Sequence, residues 1–150
     1  MSDEAWLRDR LRKIEALFAG AGTEGERLAA EAALDRVRAR LAELEHREPP
    51  IEVKLTLPDE WSRRLFLALC RRYGLTPYRY RKQRYTTVMI RVPRAFVDQV
   101  LWPEFQELNK ALTQYLNEVT IRVIRDEVHR DTSEAAEVGR ALPGTGTSAG

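Results

Sequence analysis

The chain has 150 residues, 43% of them hydrophobic and 32% charged, with a formal net charge of only +2. That length suits one domain with an appendage; the charged share exceeds the usual figure of about 25%, and the near-neutral total excludes any inference about partners from net charge alone. The acidic start Met1-Ser2-Asp3-Glu4 lacks the basic and apolar regions of a signal peptide, and no apolar run approaches the roughly 20 residues of a membrane span, so a cytoplasmic protein with no membrane partner is expected.

Residues 3–19 read as a helix, because Leu7, Leu11, Ile14 and Phe18 recur on one face. Gly20 and Gly22 end it, and Thr23 with Glu26 has the spacing of a capping box that starts a second helix. Ala30, Leu34, Val37, Leu41 and Leu44 then repeat as coiled-coil-like heptads up to Pro49-Pro50, so residues 1–48 are expected to form an antiparallel helical hairpin. Strict alternation over 51–57 predicts a strand with Ile51, Val53, Leu55 and Leu57 on one side. Pro58-Asp59 opens a helix to about Tyr73, with Trp61, Leu65, Ala68 and Leu69 as its inner face, and Gly74-Leu75 suits a Schellman ending.

Two further strands are predicted at 78–81 and 86–92, with 82–84 as the turn between them. Pro93 closes the last strand. A long helix covers about 94–129, broken or kinked at Trp102-Pro103. The part beyond Pro103 would be roughly 40 Å long, more than a small sheet can cover. It either packs on the hairpin as a three-helix bundle, leaving a monomer, or pairs with a second copy as a homodimer. Residues 131–150 have no periodicity and are expected to be disordered.

The expected fold class is α+β: an N-terminal αα hairpin, then a βαββα unit over 51–130 with a small three-stranded mixed sheet and the long C-terminal helix. A right-handed crossover would make the first two strands parallel, with 86–92 central between them. The helices would cover the face carrying Ile51, Val53, Leu55, Tyr78, Tyr80, Val88 and Ile90.

Lys13-Ile14, Leu17-Phe18-Ala19, a small-residue turn, Glu26 and the alanines 29, 30, 32 and 33 make a pattern over about 12–44. It resembles the opening module of a bacterial and phage domain family of unknown function, which reads Lys-Ile-x-x-Leu-Leu-Ala-Leu-Ala, a turn, then Glu-Ala-x-x-Ala. Phe18 replaces the second leucine, and Gly20 the leucine after the alanine. The resemblance implies a bacterial or phage origin and a compound α/β architecture, with no activity and no catalytic residues.

Several chemistries lack their parts. One cysteine, Cys70, and two histidines, His46 and His129, cannot assemble a zinc site of about four converging ligands. Cys70 falls on an apolar helix and reads as a small core residue. Ser62 sits on a charged helix face and Ser2, Ser133 and Ser148 lie in the termini, Cys70 has no histidine nearby in sequence, and Gly20, Gly22 and Gly25 follow a helix rather than a strand. The adjacent carboxylates Asp59-Glu60 and Asp126-Glu127 diverge on a helix. No catalytic residue, metal or cofactor is therefore expected, and the protein reads as a non-enzyme.

The outlier is the stretch from Arg63 to Arg94. It carries Arg63, Arg64, Arg71, Arg72, Arg79, Arg81, Lys82, Arg84, Arg91 and Arg94 with no Asp or Glu among them. Arginine suits planar recognition of phosphate or carboxylate, and the interleaved Tyr73, Tyr78, Tyr80 and Tyr85 could stack on bases. The candidate nucleic-acid-binding residues are Arg63, Arg64, Arg71, Arg79, Arg81, Lys82, Arg84 and Arg91, acting as phosphate contacts with low sequence specificity. A second reading makes the same arginines a solvated face or an internal charge network, with the tyrosines as core. A third makes the chain a protein-interaction module whose long amphipathic helices dock a partner and whose arginines match an acidic protein surface.

Overall fold

The structure, a computed structural model, describes Ala5, Asp9 and residues 24–139. The expected first helix, the turn after it and the end of the tail, 140–150, fall outside the described residues, Ala5 and Asp9 apart. By compactness the chain divides into two units, Met1–Leu116 and Asn117–Gly150.

Helix α1 (Glu24–Arg47) carries acids in its first turn and His46 and Arg47 in its last, the arrangement that complements the helix dipole. Its buried residues, Leu34, Leu41 and Leu44, are spaced by seven and three, so the heptad pattern marks an intramolecular core seam here. Strand β1 (Ile51–Thr56) follows the two prolines. Helix α2 (Glu60–Arg72) starts at Asp59, whose side chain accepts from the Ser62 amide at 2.9 Å. It ends as its sequence predicts: the Leu75 amide donates to the Cys70 carbonyl, the Gly74 amide to Arg71, and Gly74 has φ +81°.

The inner face of α2 is Arg63, Leu65, Phe66, Leu69 and Cys70. Trp61, expected inside, is 50% exposed, with the Arg64 guanidinium 5.5 Å over its ring. Phe66 takes the central place instead, edge-on to Phe105 at 5.2 Å and an interplanar angle of 90°.

Strand β2 (Thr87–Val92) pairs antiparallel with β1, in the register Val53 opposite Ile90 and Leu55 opposite Val88. The expected three-stranded mixed sheet does not form: the sheet has two antiparallel strands. Of 78–81 only Tyr78 pairs, in a single antiparallel bridge with Met89. The chain then turns away, because the Tyr80 amide donates to Gln83 Oε1 at 2.8 Å rather than to β2. Lys82 adopts φ +73°, the left-handed conformation that a tight turn needs and that glycine or asparagine would fill with less strain.

Pro93 leads into one α-helical turn, Arg94–Phe96, whose Ala95 amide donates to Glu48 Oε1 at 2.9 Å. A π-helical stretch, Val97–Leu101, follows, and then helix α3 (Trp102–Glu127). The expected break at Trp102-Pro103 takes this form. Pro103 has no amide hydrogen and its ring crowds the carbonyl four residues back, so the helix widens by one residue before it, with the Trp102 amide bonded to the Val97 carbonyl.

In the first unit the core joins the α1 leucines, the α2 face, Val53, Val88, Ile90 and Val92 of the sheet, and Phe96, Leu101, Phe105 and Leu108. In the second unit, 117–139 contains no buried residue among those described, and 130–139 forms no helix or strand. Among the described residues no helix is long and apolar enough to cross a membrane.

Candidate nucleic-acid interface

The β1–β2 register determines the two faces of the sheet. Val53, Leu55, Val88, Ile90 and Val92 turn to the core, while Glu52, Lys54, Thr56, Thr87, Met89 and Arg91 share the opposite, outer face. Tyr78 is bridged to Met89 and therefore lies on the outer face. This reverses the expectation that Tyr78 and Tyr80 join the helix-covered core. Tyr78 is half-buried and Tyr80 is 52% exposed, and their rings meet edge to face with centroids 5.6 Å apart.

What gathers the two tyrosines is Glu52, which strand alternation alone would leave as one more solvated acid. The Tyr78 hydroxyl donates to Glu52 Oε2 at 2.5 Å, and the Tyr80 hydroxyl donates to the same oxygen. Those two phenols, Tyr78 first, hold the Glu52 carboxyl below its usual range, with a smaller contribution from Arg91, its cross-strand neighbour. Tyr78 and Tyr80 are pushed up in turn, mainly by the same carboxylate. The contact is legible only in three dimensions, since 26 residues separate Glu52 from Tyr78.

The 79–86 segment folds back beside this face. The Leu57 amide donates to the Thr86 carbonyl at 2.9 Å, and Gln83 Nε2 lies 3.5 Å from Met89 Sδ, which helps to bury Met89. Tyr85 stays 70% exposed, yet two guanidiniums lie against its ring: that of Arg63 at 4.6 Å from the centroid and that of Arg79 at 5.1 Å. Arg79 also donates to the Tyr85 carbonyl at 3.3 Å.

The eight candidate residues do not form one surface. Arg63 is only 7% exposed and donates to the Leu57 carbonyl at 3.0 Å, tying α2 to the end of β1. Arg64 pairs with Glu60 at 2.7 Å, one helical turn away. Arg71 is exposed near the end of α2. Arg79, Arg81, Lys82 and Arg84 belong to the loop and Arg91 to the outer face; all five are exposed, and none enters an ion pair among the described residues.

No competing site emerges elsewhere among the described residues. No group of His, Cys, Asp or Glu is placed to hold a metal ion. His46 is exposed in the last turn of α1, and His129 Nδ1 accepts from the Asp131 amide. Cys70 is fully buried, and burial pushes its thiol up to about 12, so no thiolate nucleophile is at hand. A larger apolar groove of about 650 Å³ runs along α1 past Ala30, Ala33 and Leu34 to Val100 and Pro103, with Asp9 at its side.

No family model matches the chain, and no curated protein and no solved structure matches it.

Proposed function

We propose that the chain is a non-enzymatic, nucleic-acid-binding protein that acts in the cytoplasm and uses the 79–86 loop together with the outer face of β2. The observation that carries this reading is a cluster of cations without ion pairs among the described residues. Arg79, Arg81, Lys82, Arg84 and Arg91 are exposed, stand close in sequence and pair with no described acid. Such cations are free to displace counterions from a phosphate backbone. Tyr80 and Tyr85 offer exposed rings beside them, which suits unpaired bases. Contacts to phosphates carry no sequence information, so affinity should depend on salt and little on sequence. The reading is narrower than the eight-residue set: Arg63 is internal, and Arg64 is already paired within its helix.

The test is a salt series on single-stranded and duplex DNA and RNA. Each phosphate neutralised contributes about −0.9 to the slope of log K against log salt on duplex DNA and about −0.7 on single strands. A slope of several units, with tighter binding to single strands, is expected. Absence of binding to every nucleic acid at low salt would sink the proposal and leave an acidic protein surface as the partner to seek.

A further inference from the structure

Beside the loop lies a hollow of about 200 Å³ lined by Arg63, Leu67, Pro77, Arg79, Tyr85 and Thr87, among others. Two arginines and no acidic residue line it. Arg63 is the unusual member. The residue is only 7% exposed, and its Nη1 donates to the neutral Leu57 carbonyl, although a guanidinium carries five N–H donors. Burying a cation without a counter-ion is unfavourable. The Tyr85 ring and the Leu57 carbonyl offset part of that cost. Asp59 feels the Arg63 charge but forms no ion pair with it, and its Oδ2 is engaged by Ser62.

We infer that this hollow receives a phosphate group, held by the forked guanidiniums of Arg63 and Arg79 with the Thr87 hydroxyl beside them and the Tyr85 ring as its wall. Arginine forks match tetrahedral oxyanions by paired N–H donation. The hollow is smaller than the roughly 300–1,000 Å³ of sites that enclose a whole ligand. The phosphate therefore enters while the rest of the molecule remains outside, along exposed Tyr85 and the loop cations. The inference rests on the nucleic-acid reading to this extent: Arg79 and Tyr85 belong to both, and the phosphate is then the terminal one of a strand. Free inorganic phosphate offers the same chemistry.

The experiment uses the full chain and compares a 5′-phosphorylated single-stranded oligonucleotide with a 5′-hydroxyl strand one nucleotide longer, which carries about the same charge. Inorganic phosphate is titrated separately, at constant ionic strength, while the arginine side-chain NMR resonances of Arg63 and Arg79 are followed. The phosphorylated strand should bind roughly tenfold tighter, about 1.4 kcal/mol. Arg79→Gln and, should replacement of the buried arginine by a neutral residue prevent folding, Arg63→Lys should each abolish that preference. Equal affinity for the two strands, with no resonance shift in phosphate, overturns the hollow and leaves the surface reading intact. Shifts in phosphate without binding of either strand overturn the surface reading and make the hollow a free-phosphate site. Neither shifts nor strand binding overturns both.

Discussion

The arginines of the helices and those of the 79–91 region are chemically the same, but several of the first are ion-paired and none of the second is, among the described residues. On the helices five arginines have an acid one turn away: Arg27 with Glu24, Arg40 and Arg47 with Glu43, Arg64 with Glu60, Arg94 with Asp98. These pairs are exposed and contribute little stability, but each offsets its own charge, whereas Arg36, Arg71, Lys110 and Arg122 enter no ion pair among the described residues. In the 79–91 region the acid nearest in register, Glu52, accepts from two tyrosine hydroxyls and lies across the strands from Arg91, and the five cations enter no ion pair among the described residues. A net charge of +2 conceals this division. The number of arginines says less about a surface than whether acids lie within reach of them.

The contrast is broken most directly by reversing the unmatched set. Arg81→Glu, Lys82→Glu and Arg84→Glu together should lower nucleic-acid affinity by about a hundredfold or more at low salt and make the salt slope shallower by roughly 1 to 3 units. The melting curve should barely move, since exposed substitutions usually change stability by no more than about 0.5 kcal/mol each. Unfolding of the triple variant would show that these side chains belong to an internal network.

Arg63→Ala tests the buried member of the series. It removes the donor to Leu57 and the stack on Tyr85, so denaturant titration should show a loss of about 1–3 kcal/mol. Arg64→Ala, at the next position in the chain, should lose no more than about 0.3–0.5 kcal/mol, the worth of an exposed helical pair. Similar losses for the two variants would erase the distinction drawn between them.

The smallest effect concerns pH. Glu52 is lowered from the ordinary glutamate value of 4.5 by its phenol donors. A depressed carboxyl contributes stability above the unfolded value, and that contribution is lost as pH falls through the folded one. NMR titration of the Glu52 side chain should therefore find its midpoint below 4.5, and in Tyr78→Phe with Tyr80→Phe it should move back up. An unchanged midpoint in the double variant would refute the assignment of the shift to the phenols.

Much of the fold was legible because it depends on local rules. The heptad leucines of α1, the Asp59 cap, the Gly74 ending of α2 and the disturbance before Pro103 follow from side-chain spacing, capping chemistry and a missing amide hydrogen. Alternation over 51–57 and the β-branched residues of 86–92 also predicted β1 and β2 to within a residue or so. Alternation at 78–81 was a poorer guide. It says that neighbours point to opposite sides but not which side is covered, and it cannot tell a strand from a short extended stretch that leaves after one bridge.

By itself, then, the amino-acid order determined where helices begin and end, which residues of α1 and β1 face inward, and that a run of cations lacks acids of its own. Tertiary structure alone decided that Tyr78 and Tyr80 stand on the outer face, that Glu52 draws them together, that Phe66 and not Trp61 fills the core, and that Arg63 is sequestered against Tyr85 while Arg81, Lys82 and Arg84 stay in water. The physical reason is one of range. Caps, turns and helical stripes are set by residues a few positions apart, whereas burial and charge pairing depend on partners that the backbone brings together from 20 to 30 positions away, as Glu52 and Arg63 are from the tyrosines they meet.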